Sequence, residues 1–207
     1  MSETAAPQGL VERVAGAYWD FSGSMRRLLE DQPREATLLS FLIVASLMRY
    51  AGQVVDAFGE LSSSVAGEDF TRAFQTQVAE GFVGALILAP LAVYLFAAIA
   101  KPIAGALGGT GDWFETRAAF VWAYLVTAPI FLLRSAIDAI ASSAGVPDGL
   151  LVILSLAFAA LGLYVLGACL SVAHGFKSPR NTALVMAAGL FAIAGLAVAL
   201  GVGVSGL

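Results

Sequence analysis

Charge, cysteine and histidine are all scarce in this chain. Only 13% of its 207 residues are charged, whereas a soluble domain carries about a quarter, so an ordinary water-facing surface cannot be built from it. One cysteine, Cys169, leaves no disulfide framework. With a single histidine, His174, it also excludes a metal site assembled from a His/Cys cluster. Eleven Lys and Arg stand scattered against fifteen Asp and Glu, for a net charge of −4, which excludes a nucleic-acid-binding surface. What is present is apolar: 59% of residues are hydrophobic and the mean hydropathy is +0.85. That is too apolar for a disordered chain. The composition is that of an integral membrane protein.

A helical span needs about 20 apolar residues to cross some 30 Å of hydrocarbon, so the gaps between charges mark the crossings. Residues 81–100, 149–176 and 181–207 carry no charge at all. Two shorter runs, 36–48 and 118–133, end at Arg49 and Arg134, whose long stems can reach the headgroups. The expected spans are therefore 37–58, 81–100, 114–138, 149–173 and 182–203. The expected fold is an all-α polytopic bundle of about five transmembrane helices. It divides into a cytoplasmic amphipathic segment, 1–35, and a five-span domain, 36–207.

Basic residues stay on the cytoplasmic side of short connections. With the N-terminus inside, that side holds Arg13, Arg26, Arg27, Arg34, Lys101, Arg117, Lys177 and Arg180. Only Arg72 and Arg134 fall outside, and five crossings put the C-terminus there too. No cleavable signal peptide precedes the first apolar run, so the first span is expected to serve as the insertion signal. Two lysines against nine arginines, with heavy Ala and Gly usage, point to a GC-rich bacterial genome. The expected location is the cell inner membrane, with a periplasmic C-terminus.

Before the first span, Leu10, Val14, Ala17, Tyr18, Phe21, Met25, Leu28 and Leu29 recur at three- and four-residue steps. This spacing predicts one amphipathic helix ending near Pro33. It is expected to lie among lipid headgroups, or else to dock a soluble partner. In the first outer connection, Phe70, Ala73, Phe74, Gln77 and Val78 predict a short helix over 68–80 that leads into the second span. Pro90 and Pro129 are expected to kink the second and third spans. Two ladders of small residues predict a closely packed pair of neighbouring spans. One comprises Ser155, Ala159, Gly167, Ser171 and Gly175; the other Ala183, Ala187, Gly195, Ala199 and Gly203.

Four charges fall inside the outer halves of spans: Arg49, Asp56, Arg134 and Asp138. Their signs balance, and Arg134 and Asp138 stand four residues apart on one helix face, where they can pair. They are read as local ion pairs, with a polar cavity for a solute or proton as the alternative. A second candidate is the cytoplasmic stretch 101–113, where Pro102, Gly105, Gly108, Gly109 and Gly111 predict a turn. Gly-rich backbone can present N–H groups to an anion, yet neither GxxxxGK[ST] nor GxGxxG occurs there, so a tight inter-helix turn is the simpler reading.

Catalytic signatures are weak. Gly203-Val204-Ser205-Gly206 spells the GxSG of a rhomboid-type intramembrane protease. A serine nucleophile needs a base within hydrogen-bond reach. The lone His174 is expected at the opposite membrane face, about 30 Å away. Cys169 lies in an apolar run with nothing to activate a thiol. No enzyme and no cofactor is therefore expected.

Three stretches resemble the Yip-one (Ypt-interacting protein) domain family. They are Leu107-Gly108-Gly109-Thr110-Gly111-Asp112-Trp113-Phe114, then Tyr124 to Pro129, then Ala173-His174-Gly175-Phe176-Lys177. The resemblance implies a cytoplasmic N-terminal region, about five spans, a Gly-Gly turn after the second and a His-Gly junction before the last. Its eukaryotic members are multispan proteins of membrane trafficking that associate with small GTPases and with one another. No catalytic residue is carried over. The resulting expectation is a non-enzymatic organiser of partner proteins or of the bilayer. A small transporter or channel subunit built on Arg49, Asp56, Arg134 and Asp138 is the competing one. Partners of such a protein are membrane lipids, membrane or cytoplasmic proteins and further copies of itself.

Overall fold

The computed structural model describes residues 9–64, 67–182, 184, 185 and 189. Regular structure among them is helical throughout. In order the helices are α1 (Leu10–Ala17), α2 (Phe21–Glu30), α3 (Glu35–Ser64), α4 (Glu68–Val83), α5 (Ala89–Ala106), α6 (Trp113–Ser143) and α7 (Asp148–His174). A π-helical turn, Gly84–Leu88, joins α4 to α5. Four helical segments are long and apolar enough to cross a membrane: Glu35–Ser62, Asp69–Ala106, Trp113–Ala141 and Gly149–His174. They fall on the first four expected spans, and the protein is a membrane-spanning helix bundle. The fifth expected span, 182–203, and Ser205 lie almost wholly outside the described residues.

The bundle is organised around α6. Helix α3 runs parallel to it, as pairs at successive depths show: Glu35 with Arg117, Arg49 with Thr127, Asp56 with Ser135 and Gly59 beside Ala139. Helix α7 runs antiparallel and brings His174 back to Thr116 near the start of α6. Small residues make the α3–α6 approach close. A Cβ on Gly52 would stand 3.0 Å from Ser135 Oγ, and Ala45, Ser46, Ala57, Ala118, Ala119 and Ala128 are buried. The expected α7 ladder divides instead, with Gly167 and Ser171 buried and Ala159 exposed. Its partner ladder on the fifth span is outside the described residues.

Helix α4 does not stop before the membrane. Asp69–Ala106 is one helical rod of 38 residues, about 57 Å at 1.5 Å per residue and close to twice the hydrocarbon thickness. Its first half pairs with the C-terminal half of α3. The Phe70 and Phe74 rings meet Phe58 edge-on, and Tyr50 Oη donates to the Val78 carbonyl. The predicted apolar face over 68–80 is therefore real and packs on α3. Pro90, which has no N–H to give, lies two residues past the π-helical turn, in the first turn of α5. Pro102 lies inside α5, and the predicted inner turn shrinks to Leu107–Asp112.

The N-terminal stripe also folds differently from the single helix expected. Asp20 interrupts it by accepting the Gly23 N–H at 2.8 Å, an N-cap that starts α2. Helices α1 and α2 form a hairpin clamped by the Arg13–Asp31 ion pair at 2.8 Å. Its apolar face is covered by the chain itself. Ala17, Met25 and Leu28 belong to the core, and Leu10, Val14, Phe21 and Leu29 pack against it. The Tyr18 hydroxyl donates to the Val126 carbonyl at 2.8 Å, and burial pushes its phenol pKa up. Val126 stands 13 residues into α6, about 20 Å along its axis. The hairpin thus clasps the side of the bundle between α6 and α7 instead of presenting an open apolar face.

Candidate functional site

The end of the bundle where α6 begins and α7 ends is closed by a compact cap. Asp112 and Glu115 form a reciprocal capping box at the start of α6: Asp112 accepts the Glu115 N–H at 2.7 Å and Glu115 accepts the Asp112 N–H at 2.8 Å. At the end of α7, Gly175 adopts φ +70° and Phe176 N–H donates to the Ser171 carbonyl at 2.8 Å, closing the helix. The two ends meet. Thr110 N–H donates to the His174 carbonyl at 3.1 Å, and the buried Thr116 hydroxyl lies 3.1 Å from His174 Nε2. Because that hydroxyl donates to the Asp112 carbonyl, it accepts from Nε2–H, which leaves Nδ1 the unprotonated ring nitrogen. Nδ1 is buried with no hydrogen-bond partner.

The candidate glycines serve this junction. Gly108 takes φ +85°, a conformation that costs other residues. Gly109 and Gly111 have no room for a side chain: a Cβ on Gly109 would lie 2.9 Å from both the Ala104 carbonyl and the Phe176 ring, and one on Gly111 would overlap the Ala173 carbonyl. The N–H groups of Gly108, Gly109 and Thr110 all donate to the backbone of α5 or α7. Their donors are turned inward, not towards an anion. A further tie has no signal in the sequence. Glu35 accepts from Tyr94 Oη at 2.8 Å and from Arg117 at 3.1 Å, linking α3, α5 and α6 at the same end. Only across three helices do these residues become neighbours.

The four intramembrane charges separate into two groups. Arg134 Nε donates to Asp138 at 3.0 Å, the i,i+4 pair expected. Asp56 joins them, accepting from Ser135 Oγ at 3.0 Å, and it also lines a cleft of about 340 Å³ between α3 and α4 with Tyr50, Gln53 and Glu80. The second oxygen of Asp138 is buried without a hydrogen-bond partner. Arg49 stands apart. It turns away from Asp56 towards α6 and donates to Thr127 Oγ1 at 2.8 Å, between the rings of Tyr124 and Phe131. Spacing along α3 alone could not show that Arg49 has an aromatic cage on another helix. No cluster of three or more His, Cys, Asp or Glu among the described residues is placed to hold a metal ion.

A family model described as the Yip1 domain matches residues 22–200. Neither curated proteins nor solved structures give a significant match.

Proposed function

The chain belongs to the Yip1 domain family, and from that premise we propose that it is a non-enzymatic organiser that holds partner proteins at the cytoplasmic face of a bacterial inner membrane. In this reading residues 36–207 make five crossings, the N-terminus is cytoplasmic and the C-terminus periplasmic. The basic residues flanking the short inner segments support that orientation. The observation that carries the reading is the inner cap. Apart from His174 Nδ1, the side-chain groups of His174, Thr116, Asp112 and Glu115 bond within the cap, while Leu107 and Trp113 stand 56% and 54% exposed at its edge. A rigid turn with an exposed aromatic anchor suits protein docking better than chemistry. The test is a photo-crosslinking residue in place of Trp113 in native membranes, with mass-spectrometric identification of the adducts. Capture of a defined membrane or cytoplasmic protein is the expected result, and a surface that captures nothing contradicts the proposal.

The second reading, a small transporter or channel subunit, draws on the cleft beside Asp56 and the unpartnered oxygen of Asp138. Liposomes separate the two. Transport predicts solute or proton flux that Asp138→Asn and Arg49→Ala abolish, and the organiser reading predicts none.

A further inference from the structure

Among the described residues, Arg49 has no ion-pair partner. Its guanidinium carbon lies 4.2 Å from the centroid of the Tyr124 ring and 4.0 Å from that of Phe131, and its hydrogen bond goes to a neutral hydroxyl. The ion pairs among the described residues are Arg13–Asp31, Arg117–Glu35 and Arg134–Asp138, and Arg49 takes part in none. Nε is buried without a hydrogen-bond partner. The two ring faces offset part of the cost of placing a cation in hydrocarbon, but a counter-charge is the stronger compensation. Residues 181–207 contain no Asp or Glu, so no side chain there supplies one.

Beside Arg49 lies a groove of about 370 Å³ between α5, α6 and α7. Its walls are Val93, Phe96, Phe120, Leu163 and Leu166, and its polar groups gather at the Arg49, Tyr124 and Thr127 end. Leu95, Phe96 and Leu156 on α5 and α7 are exposed among the described residues, and in the membrane-spanning reading this face meets hydrocarbon. A ligand therefore enters from the bilayer. The volume is at the lower end of the ligand-pocket range of about 300–1,000 Å³. It accommodates one acyl chain with a compact head, not two chains with a glycerol headgroup.

We propose that Arg49 and this groove bind a long-chain fatty acid, the carboxylate pairing with the guanidinium at the polar end of the groove and the tail lying against Phe96, Phe120 and Leu163. This stands independently of the docking role of the inner cap. The test uses the full chain in phosphatidylcholine nanodiscs with spin-labelled stearic acid, reading the motionally restricted fraction by electron paramagnetic resonance. The wild type shows saturable restriction, which spin-labelled phosphatidylglycerol does not reproduce. Arg49→Met weakens it about ten-fold or more, as expected for losing a charged hydrogen bond. Gly162→Phe, at a groove position where a Cβ meets nothing within 4 Å, blocks binding with Arg49 intact and decides the matter should Arg49→Met fail to fold. Equal restriction in wild type and Gly162→Phe overturns the proposal, as does a preference for phosphatidylglycerol. So does a disulfide between Gly162→Cys and Ala194→Cys, because the chain's own segment would then occupy the groove.

Discussion

At the scale of single residues, the glycines of the inner cap separate by function. Gly111 has no space for a methyl group, because a Cβ there would overlap the Ala173 carbonyl, a backbone atom that cannot swing aside. Gly105, near the end of helix α5, meets nothing within 4 Å. Gly111→Ala is therefore expected to cost about 1–3 kcal/mol by overpacking. Gly105→Ala is expected to be neutral or to stabilise by about 0.5–1 kcal/mol through helix propensity. Unfolding in mixed micelles, followed by circular dichroism, measures both. The sequence marks such glycines as a turn and no more. Which of them need positive φ and which need empty space depends on the neighbours that α7 delivers, and those lie far along the chain.

At the scale of elements, the account turns on what covers the N-terminal hairpin. Its apolar stripe is legible from Leu10 to Leu29, and even its interruption has a signal in Asp20, a good N-cap three residues before Gly23. What the stripe packs on is not legible. Apolar residues at helical spacing require that a face be covered, but lipid, a partner or the chain itself satisfies that requirement equally well. Met25 and Leu28 are fully buried against the bundle. Met25→Ala and Leu28→Ala are each expected to cost about 2–5 kcal/mol, the range for deleting a buried side chain, and to expose the α1–α2 hairpin to protease in intact micelles. Unchanged protease protection in both variants contradicts docking of the hairpin. The outer connection illustrates the opposite case. The spacing over 68–80 reveals a helix leading into the second span, but not that the two form one rod. The π-helical turn joins them.

At the scale of the whole molecule, long uncharged runs make four crossings readable, since the energetic demand of hydrocarbon is written into composition itself. The packing of those crossings is less readable. Small-residue ladders point to the last two spans, whose pairing lies outside the described residues, and among the described helices α3 packs closely on α6, where Gly52 faces Ser135. An ideal Cβ on Gly52 stands 3.6 Å from Ser135 Cβ, within the span of a disulfide. Gly52→Cys with Ser135→Cys is therefore expected to cross-link spontaneously on mild oxidation, detected as a mobility shift reversed by reductant. A pair moved one turn along α3 should not cross-link. The three family-like stretches, separate in sequence, also find their meaning only here. Two of them close the inner cap, and the third, 124–129, supplies the ring and hydroxyl that hold Arg49.

The central proposal is that the chain threads the bilayer an odd number of times, with its N-terminus and the cap on the cytoplasmic side. Cysteines introduced singly as Gly9→Cys and Ser205→Cys, labelled with a membrane-impermeant maleimide in intact cells and again after permeabilisation, test it most directly. The account predicts that the site at Ser205 labels from outside, whereas the one at Gly9 reacts only after permeabilisation. Reaction of both from one side of the membrane would contradict it.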